Sequence, residues 1–402
     1  YNRYRRNYFE EGGFMSKKKS FILGFAAACL CFAVIYNVRI GINILRGTIP
    51  VSKKISVIEK LVEENYVEDV SNEELEEYIY AGYVAGLGDK YSTYMTAEEF
   101  TNFKESLNGS YSGIGIQVSL GEDNNMKVEE VYSGSPAERA GILKDDIIYS
   151  VGDIEIDDED SYLDAVSFIK SSEEEFTVRG KHSDGTEFTV EIISEDIDVP
   201  SVCYTMLEGN LGYIRITEFE GNTAEQFDGA VESLEGMEGL IIDLRNNPGG
   251  FLTTVNDIAD TILPEGTITY IEYKNGEKKY YESDENCLDI PIAVLVNGNS
   301  ASASEVLTGA IKDYGAGTIV GTTTYGKGGV QDSYSLSDGS CVKLTVAKYY
   351  TPNGVCIHGE GIDPDVEAPA TESFKLPSVT DSKAEPDIEN DTQLKKAIEV
   401  LS

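Results

Sequence analysis

Apolar residues recur at helical spacing between Ser52 and Leu107, where Ile55, Ile58, Leu61 and Val62 share one face. Ser71 with Glu74, and Thr96 with Glu99, each set a hydroxyl three residues ahead of a carboxylate, which predicts two capped helix starts. These helices read as an arm or oligomerisation segment, or as simple core packing. Between Ser110 and Ile193 the period shortens to β-runs at 113–120, 126–131, 146–151, 176–179 and 187–193, around one helical stretch at 162–169. From about residue 209 β-runs and helical stretches alternate (211–216, 223–234, 239–244, 254–262, 292–296, 303–312), which predicts an α/β core with a largely parallel sheet. Past Ile362 a Pro- and acid-rich stretch to about Asp391 reads as a flexible tail, closed by a short amphipathic helix at 393–401.

Near the start, Lys17, Lys18 and Lys19 precede an apolar run at 21–36 that extends through Val38, Ile40, Ile42, Ile44 and Leu45, interrupted by Asn37 and Arg39. With about 20 residues needed to span a bilayer, and basic residues ahead of the run, the reading is a single-pass anchor in a bacterial cell membrane with the body of the chain outside. A cleaved signal peptide at Ala26-Ala27-Ala28 competes with it, but apolar sequence continues well beyond; a lipoprotein at Cys29 is disfavoured by Ala26. Glu10-Glu11-Gly12-Gly13-Phe14 ahead of Met15 can be encoded by a purine-rich stretch resembling a ribosome-binding site. The expectation is that Met15 is the start and residues 1–14 are a translated leader.

Composition then narrows the partners. The 402 residues suffice for two or three domains, and 71 Asp and Glu against 32 Lys and Arg give a net charge of −39, which repels phosphate backbones and excludes nucleic acid as a partner. Cys203, Cys287, Cys341 and Cys356 are far apart, without metal-ligand spacing; two disulfides and free thiols both remain open. His182 and His358 are the two histidines, so the commonest general base is scarce. No metal or cofactor is expected.

Gly113-Ile114-Gly115-Ile116 runs into an alternating strand and is followed by Gly134-Ser135-Pro136-Ala137, Ala140-Gly141-Ile142 and Asp145-Asp146-Ile147-Ile148. This set resembles the carboxylate-binding loop of PDZ domains. Glycines let successive N–H groups turn inward as an anion nest, and the next strand edge accepts an extended peptide. An ordinary hairpin glycine pair is the plainer alternative.

The strand at 292–296 ends in Asn297-Gly298-Asn299-Ser300-Ala301-Ser302-Ala303-Ser304-Glu305 and enters a helix. Such a turn exposes a nucleophile where helix N–H groups can stabilise an oxyanion, though a Ser-rich cap reads the same way and spacing does not choose among three serines. Downstream, Tyr325-Gly326-Lys327-Gly328-Gly329-Val330-Gln331 flanks a lysine with glycines, which let other backbone approach closely.

Here the chain resembles the carboxy-terminal processing proteases, the tail-specific serine peptidases, over roughly residues 55–365, including Leu87-Gly88-Asp89-Lys90-Tyr91-Ser92-Thr93-Tyr94-Met95 and Leu240-Ile241-Ile242-Asp243-Leu244-Arg245-Asn246-Asn247-Pro248-Gly249-Gly250. The resemblance implies a Ser–Lys dyad with Ser302 as nucleophile, Lys327 as base and Gln331 as orienting residue. It further implies an oxyanion hole from Gly249 or Gly250 with Ala303, a supporting Glu305, and a gate contact at Arg179. A lysine base must be desolvated to be neutral, since it titrates near pH 10.4 in water. His358 is the alternative base, outside the motifs. A degenerate, tail-binding scaffold is the rival from another class, and a penicillin-binding enzyme would need Ser-x-x-Lys, where Glu305 stands instead.

The expected fold class is multidomain α+β: a leader (1–14), a cytoplasmic stub and transmembrane anchor (15–47), a helical N-terminal region (48–109), a PDZ-like β domain (110–195), an α/β peptidase core (196–370), and an acidic tail with C-terminal helix (371–402). The expected activity is endoproteolysis of exported proteins at or near their C-termini, with polypeptide tails and a second copy of the chain as partners.

Overall fold

A computed structural model describes residues 50–402, apart from 108, 122, 371–373, 381, 382, 384 and 385. The expected leader at 1–14 and the expected anchor at 15–47 lie outside them; among the described residues no helix is long and apolar enough to cross a membrane. Residues 50–78 belong to one compact unit and Ile79–Ser402 form another. The first holds the helix Val51–Asn65, none of whose residues is buried, with Ile58 and Leu61 exposed on its apolar face. The helix Asn72–Ala85 starts there, with the Ser71 hydroxyl accepting the Glu74 N–H at 3.3 Å.

In the second unit the Thr96–Glu99 device forms in both directions at the head of Ala97–Leu107: Thr96 N–H donates to Glu99 Oε2 at 2.8 Å, and Glu99 N–H to Thr96 Oγ1 at 3.2 Å. The first β domain is a sheet in the order Ile116–Leu120, Met126–Val131, Ile147–Val151, Phe176–Lys181, Glu187–Ile192, with the short strand Ile154–Glu155 on the third. The helix Glu159–Ser171 packs Ala165 and Ile169 against Met126, Val128, Ile148 and Val178. The expected strand at 113–120 is broken at Ile114–Gly115: its first part, Ser110–Gly113, pairs instead with Glu195–Asp198 where the chain leaves the domain.

The core sheet follows the order Val202–Leu207, Leu211–Ile216, Gly239–Asp243, Ile292–Val296, Thr318–Gly321, Val366–Glu367; the first pair is antiparallel and the others parallel. Side chains alternate across a strand, so Ile214, Leu240, Ile242 and Val294 meet Phe227, Ile258, Leu307 and Ile311 of three helices on one face. Tyr213, Ile241, Ala293 and Leu295 point to the other face. There the helix Thr392–Leu401 covers them with Leu394 and Ala397.

That packing corrects the expectation of a free tail. Asp391 caps the helix through Gln393 and Leu394 N–H, and also pairs with Arg245 at 2.7 Å. Arg245 is fully buried and forks onto Asp243, which accepts the Tyr213 hydroxyl at 2.7 Å. Arg215 donates to Pro377 O at 2.7 Å. An apolar sheet face and a buried guanidinium both need cover, and the C-terminal segment supplies it. A second sheet joins Thr93–Met95, Cys341–Tyr350, Gly266–Tyr273 and Lys278–Ser283, with Gly329–Ser335 also on Cys341–Tyr350.

Candidate active site

The buried strand Ile292–Val296 ends in a turn whose serines divide by their hydrogen bonds. Ser300 Oγ donates to Leu244 O at 2.8 Å and Ser304 Oγ to Asn247 O at 3.0 Å, so both serve the turn itself. Ser302 heads the helix Ala303–Tyr314 with φ 57°, and it lines a cavity of about 480 Å³ together with Gly250, Lys327, Gln331, Lys343 and Tyr349. A serine at positive φ is held against a preference of roughly 1–3 kcal/mol. The glycine turn packs close against it: a Cβ on Gly249 would fall 2.7 Å from Ser302 Cβ and 3.0 Å from Ala303 N.

Asn247, fully buried, ties this glycine turn to the serine turn. Its Nδ2 donates to Ile216 O at 3.0 Å, its Oδ1 accepts Gly249 N–H at 2.8 Å, and its carbonyl accepts Ala301 N–H at 3.0 Å. Gly249 N–H is therefore engaged. Gly250 and Ala303 N–H have no partner among the described hydrogen bonds, so both remain available as donors.

Glu305 joins the two halves of the site. Its fully buried carboxylate accepts Ser302 N–H (2.9 Å) and Lys327 N–H (2.8 Å) on one oxygen, and the Thr324 hydroxyl (2.6 Å) and Gly326 N–H (2.7 Å) on the other. The glycine beyond Lys327 has a steric reason, since a Cβ on Gly328 would meet His358 N at 2.5 Å. His358 itself is exposed and does not line the cavity.

Lys327 is half-buried, and burial, followed by the charge of Lys343, lowers its pKa below the ordinary lysine value; Tyr325 and Glu305 act the other way. Its Nζ lies 5.1 Å from the centre of the Tyr91 ring. No hydrogen bond joins it to Ser302 among the described residues. Ser302 Oγ instead meets the Tyr349 hydroxyl at 3.1 Å. Gln331 Nε2 donates to Gly329 O at 2.9 Å, and no hydrogen bond joins Gln331 to Lys327 among the described residues. Tyr91 is steered by its neighbours in the 87–95 segment: Lys90 Nζ donates to Tyr325 Oη at 2.7 Å, and Ser92 Oγ accepts Thr345 N–H at 3.0 Å.

The structure thus brings Ser302, Lys327, Gln331, Gly249, Gly250, Ala303 and Glu305 together. Arg179 stands apart on Phe176–Lys181, facing Glu155 of its own domain at 3.8 Å. Of the four expected tail-binding residues, Ile114 and Ile116 line a separate cavity beside Ile116–Leu120, while Gly113 and Gly115 do not line it. Sequence reasoning missed Asn247, Thr324, Lys343 and Tyr349. Asn247 carried a signal, an amide directly before a Pro-Gly-Gly turn, whereas Tyr349 sits on an otherwise unremarked strand.

Residues 210–368 match peptidase family S41, residues 127–179 the PDZ domain, and residues 46–99 the activating protease CtpB N-terminal domain. The carboxy-terminal processing protease CtpA of Bacillus subtilis (strain 168) is 34% identical over 356 residues, which are 85% of this chain and 74% of that protein. A probable CtpA-like serine protease of Staphylococcus aureus (strain bovine RF122 / ET3-1) is 35% identical over 361 residues, 87% of this chain and 71% of that one. Among solved structures, a photosystem II D1 C-terminal processing protease is 28% identical with a TM-score of 0.46, covering 78% of this chain and 86% of that chain. The sequence matches define the class as a serine peptidase with an appended PDZ domain. Within it, the chain belongs to the carboxy-terminal processing proteases of family S41.

Proposed function

We propose that the chain is a membrane-tethered endopeptidase that cuts exported proteins at or near their C-termini through an acyl-enzyme on Ser302, with Lys327 as general base. The observation that carries this reading is the shared cavity: of the three serines in the turn, Ser302 opens onto the space that the lowered-pKa Lys327 also lines. In the working state the Lys327 amine leaves the Tyr91 ring and takes the place of the Tyr349 hydroxyl at Ser302 Oγ. Ser302 then attacks the scissile carbonyl, its proton passes to Lys327 Nζ, and Gly250 and Ala303 N–H bind the oxyanion. Lys327 Nζ passes the proton on to the leaving amine and, neutral again, later deprotonates the water that hydrolyses the ester.

Gln331 orients the lysine in this state without adding charge. The PDZ domain captures the substrate's tail in the groove headed by Gly113–Ile116 and raises its concentration at the cavity. Tail capture gates the enzyme, with Arg179 as a contact. The run at 21–45 anchors the chain with its catalytic part outside the cytoplasm, and the exposed apolar face of Val51–Asn65 supports pairing with a second copy. Incubating the parent protein, Ser302→Ala and Lys327→Ala with an unfolded, tail-bearing protein tests the dyad. Both variants should lose cleavage; a variant that cuts like the parent removes its residue from the mechanism.

A further inference from the structure

The strand Ile116–Leu120 is the edge of its sheet: Met126–Val131 pairs with one side, and among the described residues no strand covers the other. An edge strand turns the backbone groups of every second residue outward, and an extended peptide binds by pairing with them. Tyr132 N–H takes Gly115 O on the paired side, so alternation turns Ile116 O to the open side, and Val118 O follows it. Both outward carbonyls are occupied by the domain itself. Tyr111 Oη donates to Ile116 O at 3.4 Å, and Tyr162 Oη, from the helix Glu159–Ser171, donates to Val118 O at 3.3 Å.

These are the two acceptors that alternate N–H groups of an added strand would need. Tyr111 also lies across the glycine loop, since a Cβ on Gly113 would stand 2.6 Å from its Cε2. Beside Tyr111, Ile114, Val166 and Ile169 line an apolar cavity of about 300 Å³. The groove therefore has its apolar pocket ready and its backbone acceptors filled. Both hydroxyl contacts are long for O–H···O bonds, so they can be exchanged for better ones.

We propose that Tyr111 and Tyr162 hold the tail groove in a self-paired state, their hydroxyls standing in for two backbone N–H groups of a bound tail. The groove then selects chain ends that replace both at once: an extended segment with free N–H groups at alternate residues and an apolar side chain for the cavity. A tail with proline at either of those residues is refused, because it offers no donor for the carbonyl that the tyrosine must release. This rests on the reading of the groove as the tail-binding site.

The test uses the full chain carrying Ser302→Ala, so that the probe survives, and measures fluorescence anisotropy of a labelled ten-residue peptide ending in Ala-Leu-Val with a free carboxylate. Phenylalanine keeps each ring and removes the competing hydroxyl. Tyr111→Phe and Tyr162→Phe should each tighten binding roughly threefold, and the pair about tenfold, as expected for removing weak neutral hydrogen bonds. N-methylating the peptide at the two alternate nitrogens should abolish the gain. Unchanged or weaker binding by the double variant, with an unchanged melting temperature, overturns the proposal while leaving tail capture intact. Failure of the probe to bind even the double variant, whose edge is free, overturns the proposal and tail capture together.

Discussion

Replacing Glu305 with glutamine tests whether one carboxylate keeps the nucleophile turn and the lysine turn in register. The carboxylate accepts four hydrogen bonds, two on each oxygen. An amide has one accepting end. Its least damaging orientation points Nε2 at Thr324 and Gly326, because Thr324 Oγ1 accepts as well as donates. Ser302 and Lys327 N–H then keep a neutral acceptor, while Gly326 N–H faces another donor in a buried place. One unsatisfied buried N–H costs about 1–3 kcal/mol, and exchanging charge-assisted for neutral bonds adds to it, so the loss of stability should be about 2–5 kcal/mol.

Activity should fall as well, because a displacement of about 1 Å between reacting groups costs on the order of 10²-fold. The pH dependence moves independently of that loss. Glu305 is one of the groups that raise the Lys327 pKa, so removing its charge lowers that pKa further. With Lys327 as the proposed base, catalysis needs the neutral amine, so the rate should rise with pH through that pKa and the rising limb should shift to lower pH in the variant. Urea unfolding and initial rates of peptide cleavage across pH read the two effects separately. A Glu305→Gln protein within about 0.5 kcal/mol of the parent, with the parent's rate and the same acid limb, would show that the carboxylate does not hold the site.

Two further substitutions probe the frame around the site. Asp391→Ala leaves Arg245 with one carboxylate partner and strips the cap from Thr392–Leu401, so it should destabilise by about 3–5 kcal/mol and expose the sheet face to limited proteolysis; an unaltered cleavage pattern would contradict the packing role. Burial, with Glu218 adding to it, raises the Glu220 carboxyl from 4.5 to about 7. Because its folded-state pKa exceeds the unfolded one, its contribution is fully present below the unfolded value and is lost as pH rises through about 7. Glu220→Gln should therefore flatten the fall in urea midpoint between those two pH values, and an identical slope in both proteins would refute the shift.

Local pattern made part of this site legible. The buried strand at 292–296, the small-residue turn after it and the glycine-flanked Lys327 announce close backbone packing, and the structure supplies the reasons in Gly249 against Ser302 and His358 against Gly328. What pattern left hidden depends on which strand lies beside which. Tyr349 reaches Ser302 because Cys341–Tyr350 carries it there from 47 residues downstream, and nothing in its own neighbourhood marks it. The C-terminal stretch misled for a related reason: its composition is that of a loose tail, but two arginines and an uncovered sheet face lie elsewhere in the chain, and only the assembled fold shows that they need it.

The short strand Thr93–Met95 lies against Val342, the second residue of the long strand that ends near Tyr349, while Tyr91, two residues earlier, sits beneath the amine of Lys327. One stretch of five residues thus touches both Lys327 and the strand that carries Tyr349, the present partner of Ser302. A substitution within that stretch therefore bears at once on the surroundings of Lys327 and on the strand that brings Tyr349 to Ser302.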